Sequence, residues 1–501
     1  MKRILIFILS AILLTSCSDF LNIRPEGTTP SEGTDYTKTE NIYLSVSAAY
    51  ASLRSNTVHG IGYISAFEIT SDNADKGSEP TDNPNAQEFD EFSFTPSNTL
   101  LNELWTGYYD VVSAANYAIE QMPLFDAATQ NEDIQKYIRQ CEGEAKAIRA
   151  YAYFNLTRMF GSVPVIDRTM SASELASQKQ VPTSELYDFI EKDLKEAIEV
   201  LPASYPASEA GKITKYTAMA FKAKAHMYHA SVDGVDVAEQ WDSVAVLTDK
   251  IIASGEFHLL EDFREVFSMD GENCSESLFE IQSSTLGRTT GEAPYCEYAY
   301  YQGPRGNSPS NMQGWGFCTP SDDLIQFFED RGDEERAAAT LLYRGTTTPE
   351  GDYISENCYN PVYNGKVYTP SSYNKWSYNG YGFDHNIRIL RYSDVLLMYA
   401  EARYNGSTKG TLSGYSAQAA LDEVRSRAGL SSVSAGDIQN IWDERRAEFA
   451  LEEDRYFDLV RTGQAATVLA SKGYVEGKHN VLPIPAAQRQ LNQNLGQNPQ
   501  Y

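Results

Sequence analysis

Between about residue 100 and residue 255 apolar side chains recur every three or four positions, and the same spacing returns from about 388 to 460. That period puts them on one face of an α-helix. Over Gln140 to Phe160 the stripe is Ala145, Ile148, Ala152, Leu156 and Met159, stopped by Gly161 and Pro164. The next helix opens at Pro182-Thr183-Ser184-Glu185, with Thr183 as candidate cap, and carries Leu186, Ile190, Leu194, Ala197 and Leu201 before Pro202. A third runs from Thr214 to about Ala230 and is rich in alanine at 218, 220, 223 and 225. A fourth holds Trp241, Ala245, Thr248 and Ile252 and ends at Gly255, and a later pair covers Ile389 to Tyr404 and Tyr415 to Ala428. Small residues on one helix facing bulky ones on the next allow close pairing, the physics of a helix-pair solenoid. Pairs beginning near 140 and near 213 are too far apart for a tight repeat of about 34 residues, so the repeat is divergent and loop-expanded. The expected fold is mostly α, an α/α superhelix of divergent tetratricopeptide-like helix pairs. Residues 256–387, with abundant Gly, Pro, Asn and Tyr and little sustained period, read as loops and short strands laid over that frame.

The N-terminus adds a location. Lys2 and Arg3 precede an apolar run from Ile4 to Leu14, too short to span a bilayer comfortably, which ends in Leu14-Thr15-Ser16-Cys17. Small residues before a cysteine are what a lipoprotein signal peptidase requires. Residues 1–16 are therefore read as a removed lipoprotein signal peptide, Cys17 as lipid-modified, and 17–36 as a lipid-anchored tether. Several acyl chains on one residue anchor a protein without a transmembrane helix. The alternative is an ordinary secretory signal with an incidental cysteine. Residues 37–501 form one body, with a helical part 37–255, a loop-rich insertion 256–387 and a helical part 388–501. Of the remaining cysteines, Cys141, Cys274, Cys296, Cys318 and Cys358, an odd number outside the cytosol leaves at least one thiol unpaired. No two have metal-ligand spacing, and scattered buried thiols are the favoured reading.

Charge narrows the partners. The chain has 41 Lys and Arg against 69 Asp and Glu, a net charge of −28, which repels phosphate and argues against nucleic acid. No H-E-x-x-H, G-x-S-x-G, phosphate loop or C-x-x-C occurs, so the usual marks of metalloprotease, serine-hydrolase, nucleotide and thioredoxin chemistry are missing. His226 and His229 lie one helical turn apart and could ligate a metal, but with no Asp or Glu at matching pitch they read as helix-surface histidines. Glycoside hydrolysis stays open, because its two carboxylates follow no universal spacing.

Several segments resemble the SusD/RagB family of surface glycan-binding lipoproteins. They are Cys17-Ser18-Asp19-Phe20-Leu21 with Pro25; Arg149-Ala150-Tyr151-Ala152-Tyr153-Phe154 continuing to Phe160-Gly161-Ser162-Val163-Pro164; and Arg391-Tyr392-Ser393-Asp394-Val395-Leu396-Leu397-Met398-Tyr399-Ala400-Glu401-Ala402. Glu444 to Phe449, Arg455 to Arg461, Leu482-Pro483-Ile484-Pro485 and Gln497-Asn498-Pro499 complete the series in family order. The resemblance implies four tetratricopeptide-like helix pairs, a ligand face built from irregular insertions, and a SusC-like TonB-dependent outer-membrane transporter as partner. It implies a surface lipoprotein of the outer membrane that binds an extracellular poly- or oligosaccharide and delivers it for uptake, with no catalytic residues; a lipid-anchored glycoside hydrolase is the alternative. Charges at helical spacing in the shared motifs, among them Arg445, Arg446, Glu448, Glu453 and Arg455, and likewise Arg391, Asp394 and Glu401, read as ion pairs that fix helix docking rather than as an acid/base site.

Tyrosine is abundant, with 33 copies beside 21 Phe and 5 Trp. An aromatic ring can cover the C–H face of a sugar while Asn, Asp or Gln bond its hydroxyl rim. The densest run is Tyr295, Tyr298, Tyr300 and Tyr301, followed by Asn307 and Trp315, in a segment punctuated by Gly and Pro and hence read as loop. Ligand binding is set there against simple packing on the frame. Trp376 and Tyr378 form a second candidate on equal terms. The stretch Asp72 to Asn85 could line the same face, be a solvated loop or hold a structural cation, although it lacks EF-hand spacing. No cofactor is expected; structural calcium is allowed but has no motif. Trp105 reads as core.

Overall fold

The computed structural model describes residues 34–283, 297–306, 314–373, 385–412 and 414–501. Cys17, Tyr295, Asn307, Trp376 and Tyr378 lie outside them. After α1 (Glu40–Leu53) come two long helices, α2 (Thr99–Ala127) and α3 (Glu132–Phe160), then α4 (Thr183–Val200), α5 (Lys215–His229) and α6 (Val237–Ser254). A long insertion follows before α7 (Tyr392–Tyr404), α8 (Ala417–Arg427), α9 (Ile438–Phe449) and the short α10 (Arg455–Arg461). Each of α1 to α6 packs on the next, and α6 packs on α7. Taken two at a time, α2/α3, α4/α5, α6/α7 and α8/α9 are four helix pairs, and the insertion falls inside the third.

Local sequence explains the ends. Asn98 and Asn131 turn their side chains back onto the first N–H groups of α2 and α3, and Thr214 does so for α5. Gly255, at φ +67°, closes α6 in the left-handed conformation that a β-carbon disfavours. The stripe Leu186, Ile190, Leu194 and Ala197 is fully buried, as the periodicity requires. Three expectations need correction. Pro182, not Thr183, is the cap position of α4, and no side chain caps it, because Pro182 has no hydroxyl and Thr183 is already helical. Ile389 to Arg391 is strand, not helix: Ile387–Arg391 pairs antiparallel with Ser277–Ile281. His226 and His229 are not on the surface but buried, because α4 covers them and supplies Glu191.

The insertion carries short two-stranded pairs. Ala74–Gly77 pairs with Phe317–Pro320, and Leu341–Tyr343 with Val362–Asn364. It is tied to the helical frame by buried ion pairs. On α9, Glu444 and Glu448 lie one turn apart on the same face, and Glu452 follows just after the helix ends at Phe449. Glu444 receives Arg331, Arg336 and Arg425. Glu448 receives Arg336, Arg391 and Arg427, and Glu452 receives Arg391 and Lys366. Arg391 also reaches Glu276, just before the first strand of the insertion, at 2.6 Å. A second set joins Arg445 to Asp394 and Asp458 at 2.6 and 2.9 Å, and Lys224 and Arg158 to Asp454. The docking role expected of these charges therefore holds, except for Glu453, which has no cationic partner among the described residues. Cys141, Cys318 and Cys358 are buried, as is Trp105.

Removing one partner from such a cluster leaves buried charge without compensation. Glu448→Ala, which strips an acceptor from three arginines, should cost about 3–5 kcal/mol. Urea unfolding against the parent chain checks this, and an unchanged midpoint would contradict the assigned role.

Candidate functional site

The aromatic run of the insertion splits between core and surface. Tyr298 and Tyr300 begin and centre a short helix, Tyr298–Gln302, and each is only 3% exposed. The Tyr298 hydroxyl donates to Glu453 Oε1 at 2.5 Å. These two rings therefore do not project toward a ligand, as the sequence reading supposed. They turn inward because this stretch is helical rather than loop, and the Tyr298 ring lies against Tyr63. Tyr301 and Trp315 are half-buried and remain within reach of solvent.

Trp315 is held on several sides. Its backbone N–H donates to the Tyr300 carbonyl at 2.9 Å, and the Tyr300 ring meets the indole edge-on at 6.4 Å. Gly314 and Gly303 lie so close that a β-carbon on Gly314 would sit 2.5 Å from the Gly303 backbone, so the loop closes tightly just before the indole. The Arg305 guanidinium lies 5.2 Å from the indole centroid. Arg305 is fixed in turn by Glu79 at 3.1 Å and Asp82 at 3.0 Å. Asp82 accepts from the Ser78 hydroxyl and the Glu79 N–H; these bonds, with Arg305, hold its carboxyl below the usual range.

The stretch Asp72 to Asn85 thus meets the same surface through its second half. Its first half is structural: Asp72 is buried against Arg455 and Arg446. The Lys76 ammonium donates to the carbonyls of Glu79 and Asp82, each at 3.0 Å, which places a cation of the chain's own inside the turn. On the other side of Arg305, its carbonyl accepts the Tyr359 N–H, and the Tyr359 side chain is 48% exposed. Sequence reading missed Tyr359; the turn-forming Asn360-Pro361 that follows it was the available signal. The surface therefore offers a fixed indole face, a guanidinium, two carboxylates and exposed tyrosine. That arrangement covers an apolar face and bonds a polar rim at once.

Among the carboxyls of the described residues the large upward pKa shifts belong to Glu68 and Glu453, both fully buried. Burial pushes Glu68 up to about 7 against hydrogen bonds from the Glu453 and Leu451 backbone and from Asn73 and Ser71, and burial together with Glu68 pushes Glu453 up further. Neither carboxyl opens to solvent. No helix among the described residues is long and apolar enough to cross a membrane.

Known proteins resemble this chain over most of its length. The sequence model of the SusD family matches residues 275–501, and one described as "starch-binding associating with outer membrane" matches residues 19–227. The chain belongs to the SusD family. The SusD-like protein P2 of Formosa agariphila is 26% identical, with 99% of both chains covered. Among solved structures, a laminarin-binding SusD-like protein is 26% identical, with TM-score 0.77 over 92% of this chain and 99% of its own. Surface glycan-binding protein A of Bacteroides thetaiotaomicron, in complex with laminarihexaose, is 25% identical with the same TM-score and coverage. The superhelical fold read from the sequence agrees with these SusD-like structures, which are tetratricopeptide-containing helical folds.

Two outcomes follow from the buried carboxyls. Tyr298→Phe deprives Glu453 of its donor and should destabilise by about 1–3 kcal/mol in urea unfolding. For Glu68 the unfolded group titrates near 4.5 and the folded one near 7. As pH rises between those values the unfolded state ionises first, so this group's contribution lowers stability over that window. Glu68→Gln should therefore lose less stability than the parent between pH 4.5 and pH 7, as read from unfolding midpoints; an equal loss would contradict the shift.

Proposed function

We propose that this SusD-family protein is a lipid-anchored outer-membrane surface protein that captures an extracellular poly- or oligosaccharide and hands it, uncleaved, to a SusC-like TonB-dependent transporter. The observation that carries the reading is the half-buried Trp315 indole, fixed by Tyr300 and Arg305 beside the polar groups of Glu79 and Asp82. A sugar ring stacks on the indole, and the charged rim accepts and donates to its hydroxyls. Tyr301 and Tyr359 extend the surface, with Tyr295, Asn307, Trp376 and Tyr378 as further proposed contacts. The ligands of the two solved relatives, laminarin and laminarihexaose, support a glucan-type saccharide as the first ligand to try. An open site of this kind binds weakly alone and gains by avidity on a polymer.

Capture without cleavage is supported by the burial of Glu68 and Glu453 and by relatives named for binding. It needs no cofactor. Lipidation at Cys17 supplies attachment, and the family description supports the outer membrane as its place.

Calorimetry with laminarin on a chain lacking residues 1–17 tests the site. Trp315→Ala should weaken binding at least about tenfold, or about 1.4 kcal/mol, while Tyr298→Phe leaves it unchanged. Unaltered affinity in Trp315→Ala would remove the site. Sizing the polysaccharide after incubation separates binder from hydrolase, since shortened products would contradict the proposal. Detergent extracts of the native membrane should yield a complex with a large β-barrel, and Cys17→Ala should abolish acyl labelling.

A further inference from the structure

Away from the aromatic surface, α4 and α5 face each other with Asp188 and Glu191 spaced three apart on one helix and His226 and His229 spaced three apart on the other. Each spacing brings its two side chains to one helix face. The two imidazoles converge on a single oxygen: Nδ1 of His226 is 3.1 Å and Nδ1 of His229 is 2.8 Å from Glu191 Oε1. Ligand atoms of Asp188, Glu191 and His229 lie within 4.8 Å of one another. Gln240 Oε1, from α6, is 2.6 Å from His226 Nδ1.

Hydrogen bonding alone fits this crowd poorly. His226 Nδ1 faces two oxygens with at most one proton to give. His229 is 3% exposed, its Nε2 has no hydrogen-bond partner, and its ring stacks on Tyr187 at 5.0 Å, which turns Nδ1 onto Glu191. One imidazole nitrogen and two carboxylates, as Asp188, Glu191 and His229 supply, are by contrast a common donor set for a borderline divalent metal with an open fourth position. With metal–ligand bonds of about 2.0–2.1 Å, ligand atoms in a tetrahedron stand about 3.3 Å apart. The 2.8 Å between His229 Nδ1 and Glu191 Oε1 is within about half an ångström of that value. Asp188 is exposed and Glu191 partly so, which gives an ion a route to the buried imidazoles.

We propose that the α4–α5 interface is a site for a divalent transition metal, with zinc as the probe ion, held by His229 from one helix and by Glu191 and Asp188 from the other. The ion replaces the proton shared between His229 and Glu191 and clamps the second helix pair.

The test uses the full mature chain, without a histidine tag, stripped with a chelator and titrated with zinc by calorimetry and by elemental analysis after dialysis. One zinc per chain is expected, with a raised thermal unfolding midpoint and, on cobalt substitution, visible absorption bands typical of tetrahedral nitrogen and oxygen ligation. His229→Ala should abolish uptake. Asp188→Asn changes only an exposed group, so its fold is secure, and it should weaken binding at least about tenfold. Failure of the parent chain to retain zinc, or equal affinity in Asp188→Asn and His229→Ala, would overturn the proposal and leave the two histidines as donors to Glu191.

Discussion

A column of three carboxylates holds the molecule together. Glu444, Glu448 and Glu452 gather arginines and a lysine from the insertion, from the strand before α7, and from α8. Such clusters are costly to bury, and apolar packing of the same volume can be as stable. What they supply is geometry: a planar guanidinium bound to two or three carboxylates fixes orientation as well as distance. Arg391 shows this most clearly, since it touches Glu276, Glu448 and Glu452 and so links the residue just before the insertion's first strand, the helical frame and the segment after α9. The loops that carry Trp315 inherit their position from this network.

The frame was readable because helix burial has a simple period and its stops have simple chemistry. Leu186 to Ala197 and Trp241 to Thr248 face inward as their spacing demands. Where reading failed, the missing information was tertiary. Nothing local to His226 and His229 reveals the acidic residues at their pitch, because Glu191 and Asp188 come from another helix. Nothing local distinguishes Ile389 to Arg391 from the helix it leads into, because a strand is made by its partner, here Ser277 to Ile281.

The aromatic site divides the same way. A run of tyrosines next to Gly and Pro marked a segment in which Tyr301 and Trp315 are half-exposed. It could not say which rings turn inward. Tyr298 points to Glu453, some 150 positions later in the chain, and only the assembled fold brings that acceptor near. Tyr359 entered the surface for the converse reason, through a backbone bond to Arg305 that no pattern announces.

The interruption of the third helix pair bears on how the chain reaches this state. While α1 to α6 can stack in the order in which they are synthesised, α6 waits for α7 until the whole stretch from Ser254 to Tyr392 has been made and folded back. Closure over so long a loop is entropically slow, and it exposes the apolar flank of α6 in the interval. The ionic column forms late as well, since its three glutamates follow Arg331, Arg336, Lys366 and Arg391 in the chain. The last event of folding is therefore the one that sets the loops, so a nascent chain can be largely helical before it has any means of holding a ligand.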